Sequence, residues 1–569
     1  DQAYPQARRV ESAVSTFELS EEQLAAATSE KDHLLIVAPP GGGKTEVLAH
    51  RAARQIDLLQ PNQRVLALTF TKRARTNLEE RLRSVLGQTR TRRQIVVHNF
   101  HGFAAQVVLA HGRTIGLRMQ DLGMPKTSTM RCAMKAAGGG SAMNEAEWLL
   151  SEIKRAPLSD AEVLEAIAQR GRSQSVLLAV KVERARQEAN QLHYDDLLRH
   201  AQRLLRIPAV ARLYQAHFGA VLVDEFQDLS LQQFDISILS CTDRRTFAGD
   251  PQQGIYSWAG AAPAEVEAEV RRTCGDPIIL RESYRSSPMV LEAVNSISEQ
   301  VDPGSGLVSA MPEEWPDGGC SAALVLQDPA VEAALAVRIA TSIHDAVPEA
   351  SIGIIARAGW RREHIDRAFE KQVDVPVRRW DLAIEDPATV ALIQTTVSGL
   401  PKGATVADAR LAVLDALDPT DVDARELVDD AFDALEQGGA ATARAAIKSI
   451  KQSDPKQVVG PGVHLLNAHT GKGQQFDWTL VIGLEEGHLP GKRSKDGDAL
   501  DEEHRVLLVM LSRARHGLIV TRTRMNYGRY GVKHVAESRW WSEIKARYSS
   551  EEEIQSHIEE LRCLRTAAL

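Results

Sequence analysis

The sequence predicts an α/β protein whose working loops lie at the ends of strands, and three observations support that class. "HLLIVAPPGGGKTEVLAHRAARQ" (33–55) passes from a short apolar strand through a glycine-rich loop into a helical pattern. "AVLVDEFQDLS" (220–230) is another apolar strand, and it ends on two carboxylates. "VLALTF" (65–70) and "QIVVHNF" (94–100) are apolar segments followed by hydroxyl, amide or imidazole groups, as where α/β sheets present ligand sites.

The phosphate-binding element comes first in the chain. Ala38, Pro39, Pro40, Gly41, Gly42, Gly43, Lys44 and Thr45 depart from the pattern GxxxxGK[ST] only in the alanine at the first position. Small residues are needed there because backbone N–H groups must crowd around phosphate oxygens at a helix N-terminus. Lys44 then offers a mobile positive charge to the β- and γ-phosphates, and Thr45 a hydroxyl ligand for Mg²⁺. An accidental glycine-rich turn is the competing reading, and Lys-Thr opening a helix after a strand argues against it.

The acidic strand end is the second element. Asp224 is suited to holding Mg²⁺, and Glu225 to taking a proton from the attacking water. A strand ending in a solvated acidic turn would look the same alone; beside a phosphate loop the catalytic reading is stronger. ATP and Mg²⁺ are the expected cofactors. The third element, "GDPQQGIYSWAGA" (249–261), places Tyr256 and Trp258 on one face of an extended segment and Ile255 and Ser257 on the other. Either the rings pack into a core or they form a platform for flat ligands.

Composition bounds the remainder. At 569 residues the chain has room for about three or four domains of ~150 residues. A 43% hydrophobic, 25% charged composition is that of a globular protein. The first thirty residues show no secretory pattern, and no apolar run approaches the ~18 residues of a membrane span. Cys132, Cys241, Cys274, Cys320 and Cys563 are scattered without a CxxC pair, which disfavours a zinc ribbon or iron–sulfur cluster and suits a reducing, cytoplasmic setting. Net charge is −8, yet residues 72–93 carry eight basic side chains and residues 408–436 ten acidic ones. A solvated face is the simpler reading of the basic stretch taken alone.

With "VDEFQD" (223–228) the sequence resembles the UvrD/Rep/PcrA family of superfamily 1 DNA helicases, and the resemblance runs in order along most of the chain. "LSEEQ" (19–23) is similar to the family's Q-motif, which implies that Gln23 reads the adenine edge. "LTFTKRA" (68–74) and "NFHGF" (99–103) resemble the motifs that touch single-stranded DNA, implying contacts from Thr69, Phe70, Thr71, Lys72, Asn99, Phe100 and His101. A core role for the phenylalanines and a structural one for His101 are the alternatives. "YDDLL" (194–198) is similar to the segment closing the first inserted subdomain. "GDPQQGIYSWAGA" resembles motif III, with Gln253 near the γ-phosphate and Tyr256 and Trp258 stacking on bases.

The likeness continues through the second half. In "ESYRSS" (282–287), Tyr284 would stack on adenine and Arg285 reach the γ-phosphate. "IGIIARA" (352–358) brings Arg357 to the DNA side, and "VPVRRW" (375–380) follows it. "LLNAHTGKGQQFDWTLVIGLEEGHLP" (465–490) resembles motif V, implying His469 on DNA and Gln475 on ribose. "DEEHRVLLVMLSRAR" (501–515) resembles motif VI, with Arg513 as an arginine finger, and "SRWWSEI" (538–544) the closing helix.

This resemblance implies two RecA-like parallel-sheet lobes of the P-loop NTPase kind. Lobe 1A would span 1–110 and 200–275, and lobe 2A 276–385 and 456–569. A helical insertion 1B would fill 111–199, and a reduced, acidic 2B-like insertion 386–455. The implied activity is ATP-dependent 3′→5′ translocation on single-stranded or tailed duplex DNA, with no membrane role and no fused nuclease. Departures include Ala259 where an arginine is usual, Gln474 and Gln475 in place of Leu-Glu, and Leu508 in place of a tyrosine. They leave open a second function: a DNA-stimulated regulatory ATPase beside a nuclease subunit, in repair or in phage defence of the Gabija type, with little unwinding of its own.

Overall fold

Two six-stranded sheets, each with all its paired strands parallel, frame the chain. The computed structural model describes residues 19–568 except 71, 124–133, 135–137, 139–141, 257–259, 371–374, 381–386, 418–427, 429–431, 433–434, 436–441, 448–458, 470–471, 493 and 529–530. The expectations for Thr71, Trp258 and Ala259 therefore lie outside the described residues.

The first sheet contains β1 (His33–Val37), β2 (Arg64–Thr69), β3 (Ile95–Asn99), β4 (Phe218–Asp224), β5 (Arg245–Gly249) and β6 (Ile278–Ile279). They lie in the order β3-β2-β4-β5-β1-β6. All of β4, "FGAVLVD", is buried, which is why it reads as an unbroken apolar run. Alternate side chains still divide between two cores. Leu35, Leu66 and Val221 face one, and Leu34, Val65 and Leu222 the other. Helices α1 (Glu21–Thr28), α2 (Lys44–Ile56) and α3 (Lys72–Leu86) belong to this half.

Between β3 and β4 the chain forms α4 (Phe100–His111), α5 (Met143–Lys154), α6 (Gln174–Glu188) and α7 (Tyr194–Leu205). A small apolar cluster around Leu150, Ile167 and Ala179 joins α5, α6 and the helix Asp160–Gln169. An ion cluster lies beside it. Lys154 Nζ is 2.9 Å from Glu183 and 3.1 Å from Asp196, while Asp196 also pairs with Arg186 at 3.1 Å and Arg199 at 2.7 Å. Lys154, Glu183, Asp196 and Arg199 are fully buried. Burial opposes the charge on Asp196, but Lys154, Arg199 and Arg186 outweigh it and hold the carboxyl well below its usual range. "YDDLL" thus supplies the anion that joins α5, α6 and α7.

The second half opens with a two-stranded pair, β7 (Glu282–Ser283) and β8 (Val308–Ser309). Its main sheet contains β9 (Cys320–Leu326), β10 (Ser351–Ala356), β11 (Val377–Trp380), β12 (Gly462–Asn467), β13 (Phe476–Ile482) and β14 (Ala514–Thr523), in the order β11-β12-β10-β13-β14-β9. A hairpin of β15 (Met525–Gly528) and β16 (Gly531–His534) follows. Helices α8 (Gly359–Glu370) and α9 (Gly497–Leu511) bear on the site. Between β11 and β12, a small separate core contains Ile393, Leu414, Val428 and Phe432. Among the described residues no helix is long and apolar enough to cross a membrane.

Removing Asp196 leaves Lys154, Arg186 and Arg199 short of one buried negative charge, with Glu183 still paired to Lys154 and Arg186. Asp196→Ala should cost about 3–5 kcal/mol of stability. Chemical denaturation followed by circular dichroism measures it, and a loss under about 1 kcal/mol would contradict the role given to this carboxylate.

Candidate nucleotide cleft and nucleic-acid face

The strand order brings three distant sequence segments to one place. β4, β5 and β1 are neighbours, so the acidic pair, the 250–256 segment and the glycine loop emerge side by side at one sheet edge. Gly41 has φ +87°, and Gly43, which caps α2, has φ +75°, conformations that glycine adopts without penalty. A Cβ on Gly41 would lie 2.5 Å from Ser283 Oγ and 2.6 Å from Arg285 Cβ, so the loop also needs glycine for close approach to the second half. The Tyr284 backbone N–H donates to the Gly41 carbonyl at 3.0 Å. Gln23 closes a capping box with Ser20 and donates Nε2–H to the Gly42 carbonyl at 3.1 Å. Its amide therefore props the loop directly.

A cavity of about 490 Å³ opens over this loop, lined from both halves of the chain. Lys44, Thr45, Asp224, Glu225 and Gln253 contribute from the first half, and Tyr284, Arg285, Gln475 and Arg513 from the second. Lys44 Nζ lies 2.5 Å from Glu225 Oε2 and 3.6 Å from Asp224 Oδ1. Burial works against the Lys44 charge, yet Glu225 and Asp224 prevail and raise its pKa. Burial also lifts the Asp224 carboxyl to about 6 despite Lys44. Glu225 goes the other way: burial is outweighed by Lys44 and Lys472, which bring it down to about 2. Its backbone is left-handed, at φ 56°.

The two arginines differ in their bonding. Arg513 is buried and donates Nε–H to the Val509 carbonyl at 2.8 Å and Nη2–H to Gln253 Oε1 at 3.1 Å. Gln253 in turn donates Nε2–H to Asp250 Oδ2 at 2.7 Å. Arg285 has buried Nε and Nη1 atoms with no hydrogen-bond partner among the described residues. Burial and repulsion from Arg513 and Arg515 bring its pKa down to about 9. A cation held this way is suited to receiving an anion.

Three residues outside the expected set, Lys472, Asp228 and Arg515, also line the cleft. Lys472 Nζ donates to Asp228 Oδ1 and Oδ2 at 2.6 and 2.7 Å and to the Gln253 carbonyl at 2.8 Å, and sits 4.5 Å from the centre of the Tyr256 ring. Burial raises Asp228 to about 6 even with this partner. Arg515 also lines the cavity. Lys472 stands in "TGKGQQF" and Asp228 is the last acid of "DEFQD", but nothing local to either segment shows that they meet.

Residues 19–271 match the UvrD/REP helicase N-terminal domain, and 434–525 match the UvrD-like helicase C-terminal domain. The chain belongs to the UvrD-like helicases. It is similar to the ATP-dependent DNA helicase UvrD2 of Mycobacterium tuberculosis (28% identical, covering 87% of this chain and 77% of the relative). It is also similar to DNA helicase II of Escherichia coli (24% identical, covering 90% and 85%). ATP-dependent DNA helicase PcrA of Leuconostoc citreum is 29% identical across 49% of this chain and 39% of the relative. The protein is thus an ATP-using enzyme of the DNA helicase class.

In this UvrD-like chain the residues expected on DNA have diverse surroundings. Thr69 and Asn99 end β2 and β3 and are buried. Asn99 Oδ1 accepts the Gly102 N–H at 2.8 Å and so caps α4. Phe100 is corrected to a core residue. It is 1% exposed in the cluster of Phe103, Leu197 and Val221, because the first turn of α4 points it into the lobe. The His101 ring stacks on Tyr194 at 4.3 Å, and burial lowers its pKa to about 4, so it is a neutral ring in this stack. Lys72 begins α3, and its side chain is outside the described residues. Phe70 stacks on Tyr256 at 5.6 Å, and both line the nucleotide cavity. Tyr256 is therefore engaged within the cleft instead of standing as an open platform. Arg357 is bidentate on Glu503, with contacts from 2.8 to 3.1 Å. Burial and the nearby Arg357 and Lys472 charges bring His469 to about 4.

Ile255, between Gly254 and Tyr256, is fully buried in a core made otherwise of second-half residues including Leu508, Phe476 and Val506. Leu508, one of the sequence departures, is thus part of the socket. Arg505 donates Nε–H to the Gly254 carbonyl at 2.6 Å beside it. Ile255→Ala should cost about 2–5 kcal/mol across the lobe contact. Calorimetry should show one unfolding transition splitting into two, whereas an unchanged single transition would deny Ile255 this joining role.

Proposed function

We propose that the chain is a 3′→5′ single-stranded DNA translocase and helicase in which ATP turnover changes the contact between two RecA-like lobes. The observation that carries this reading is the cavity in which a phosphate loop meets Arg285 and Arg513 from the other half of the chain. Lys44 would leave its carboxylate partners for the β- and γ-phosphates. Glu225, relieved of the cation that lowers its pKa most, would then become basic enough to take the proton of the attacking water. The fit for Mg²⁺ rests on Thr45 and on Asp224, an acceptor-rich pair beside the phosphate loop; when bound, the ion would neutralise charge between the phosphates. Gln253, Arg285 and Arg513 would receive the γ-phosphate, and an arginine finger is worth about 10³–10⁵ in rate. Gln23, which donates to the Gly42 carbonyl of the loop, and Tyr284, which lines the cavity, are the candidate adenine contacts, and Gln475 in the cavity lining is the candidate ribose contact.

A second reading is a DNA-stimulated regulatory ATPase controlling a partner nuclease, in repair or phage defence. It is favoured by the acidic stretch 408–436, whose charge does not suit a DNA grip. Strand displacement on 3′- and 5′-tailed duplexes separates the two. Unwinding of the 3′-tailed substrate is expected; DNA-stimulated turnover with no displacement would select the regulatory reading. Lys44→Ala and Glu225→Ala should each lower turnover by at least ~10²-fold, with Glu225→Ala still binding ATP. Undiminished hydrolysis in Glu225→Ala would remove it as the base.

The raised carboxyls predict a pH response. Metal binding needs ionised Asp224, and the lobe contact needs ionised Asp228; both have pKa near 6. Apparent Mg²⁺ affinity in the ATPase assay should therefore weaken as pH falls through about 6. Because folding raises these pKa values, protonation relieves buried charge, so these two groups should not lower the melting temperature over the same interval. Constant metal affinity from pH 7 to pH 5 would count against the assignment.

A further inference from the structure

Trp360 is 60% exposed in a chain of which only 5% is aromatic. It lies in the first turn of α8, just beyond the carboxyl end of β10, an inner strand of the second sheet. A lone exposed apolar residue needs no explanation, but this one is clamped. The next two residues are buried. Arg361 pairs with Glu332 at 2.6 Å and Glu485 at 2.8 Å, and Arg362 pairs with Asp366 at 2.7 Å. Turning Trp360 inward would break ion pairs almost removed from water. Its ring also meets His488 edge-to-face, with centroids 5.0 Å apart and an interplanar angle of 83°. His488 is buried, and neither of its ring nitrogens has a partner among the described residues.

We propose that Trp360 is a stacking platform for an unpaired nucleobase on the second lobe, an inference that rests on the DNA-translocating function proposed above. Single-strand binding combines aromatic faces with nearby basic groups. Arg357 lies three residues before Trp360 with its side chain 26% exposed, and Lys492 packs by Gly487 in the loop that carries His488. Contacts also lead from this position toward the nucleotide cleft. Arg362 donates to Asn467 Oδ1 at 3.3 Å, and Asn467 ends the strand that leads to Lys472 and its bond to Asp228. A base on Trp360 would thus sit at one end of a contact chain that ends in the cleft. A protein docking site would not require that connection.

The full chain can be titrated onto a fluorescein-labelled oligo-dT, with Trp360→Ala and Trp360→Phe as variants. Stacking predicts about 10-fold weaker binding for the alanine variant and near wild-type binding for phenylalanine. The salt dependence should be unchanged, because a neutral ring releases no counterions. Alanine binding within about twofold of wild type, or phenylalanine as weak as alanine, overturns the platform. A reduced salt slope also overturns it, since Trp360 would then act by arranging phosphate contacts. If the wild-type chain does not bind oligo-dT, the DNA function itself fails; failure of the platform alone leaves wild-type binding intact.

Discussion

Lys472 reaches across the cleft to a buried carboxylate, Asp228, and to the Gln253 carbonyl, and the segment from 250 to 256 is organised around that crossing. On one side of this segment Gln253 links Asp250 to Arg513. On the other, Ile255 plugs the second lobe's core, and Arg505 holds the Gly254 carbonyl. Fixing three consecutive residues to the opposite lobe leaves them little freedom to move independently of it. The segment that lines the nucleotide cavity is thus also the segment held by the other lobe.

The same crossing explains the distribution of charge. Three acids, Asp224, Glu225 and Asp228, and two lysines, Lys44 and Lys472, share one poorly solvated space. The lysines balance Glu225, whereas burial keeps the pKa values of Asp224 and Asp228 high. Arg285 faces this space with two nitrogens that lack partners among the described residues, a cation suited to receiving an anion. An incoming polyphosphate would satisfy Arg285 and compete for Lys44 at once. Two electrostatic changes would then follow from a single binding event.

Legibility in the sequence followed the range of the interaction. The phosphate loop was readable because its glycines, lysine and helix start are contiguous; Gly41 and Gly43 take positive φ and α2 begins at Lys44. The acidic strand end was readable for the same reason. Asp228 and Lys472 were not, because 244 residues separate them and only the fold makes them neighbours. Phe100 was left between a DNA contact and a core role, since a strand-end motif does not reveal which way the first helical turn points; the apolar core decided for the second. Tyr256 fitted a platform by its spacing, but its partners Phe70 and Lys472 come from elsewhere in the chain.

Ile255 sharpens the meaning of that last case. Alternation in an extended segment puts Ile255 and Tyr256 on opposite faces, and the two faces have opposite duties. Tyr256 meets Phe70 and lines the cavity, while Ile255 enters an apolar socket of the other lobe. Burying such a side chain is worth about 1.5–3 kcal/mol, comparable to the differential binding that shifts a two-state equilibrium by one or two orders of magnitude. A polar contact alone would be open to exchange with water whenever the cleft admits solvent. In the proposed cycle, the apolar plug would keep the lobes registered while the charged contacts around the phosphates rearrange, and opening would be directed through the segment that touches both.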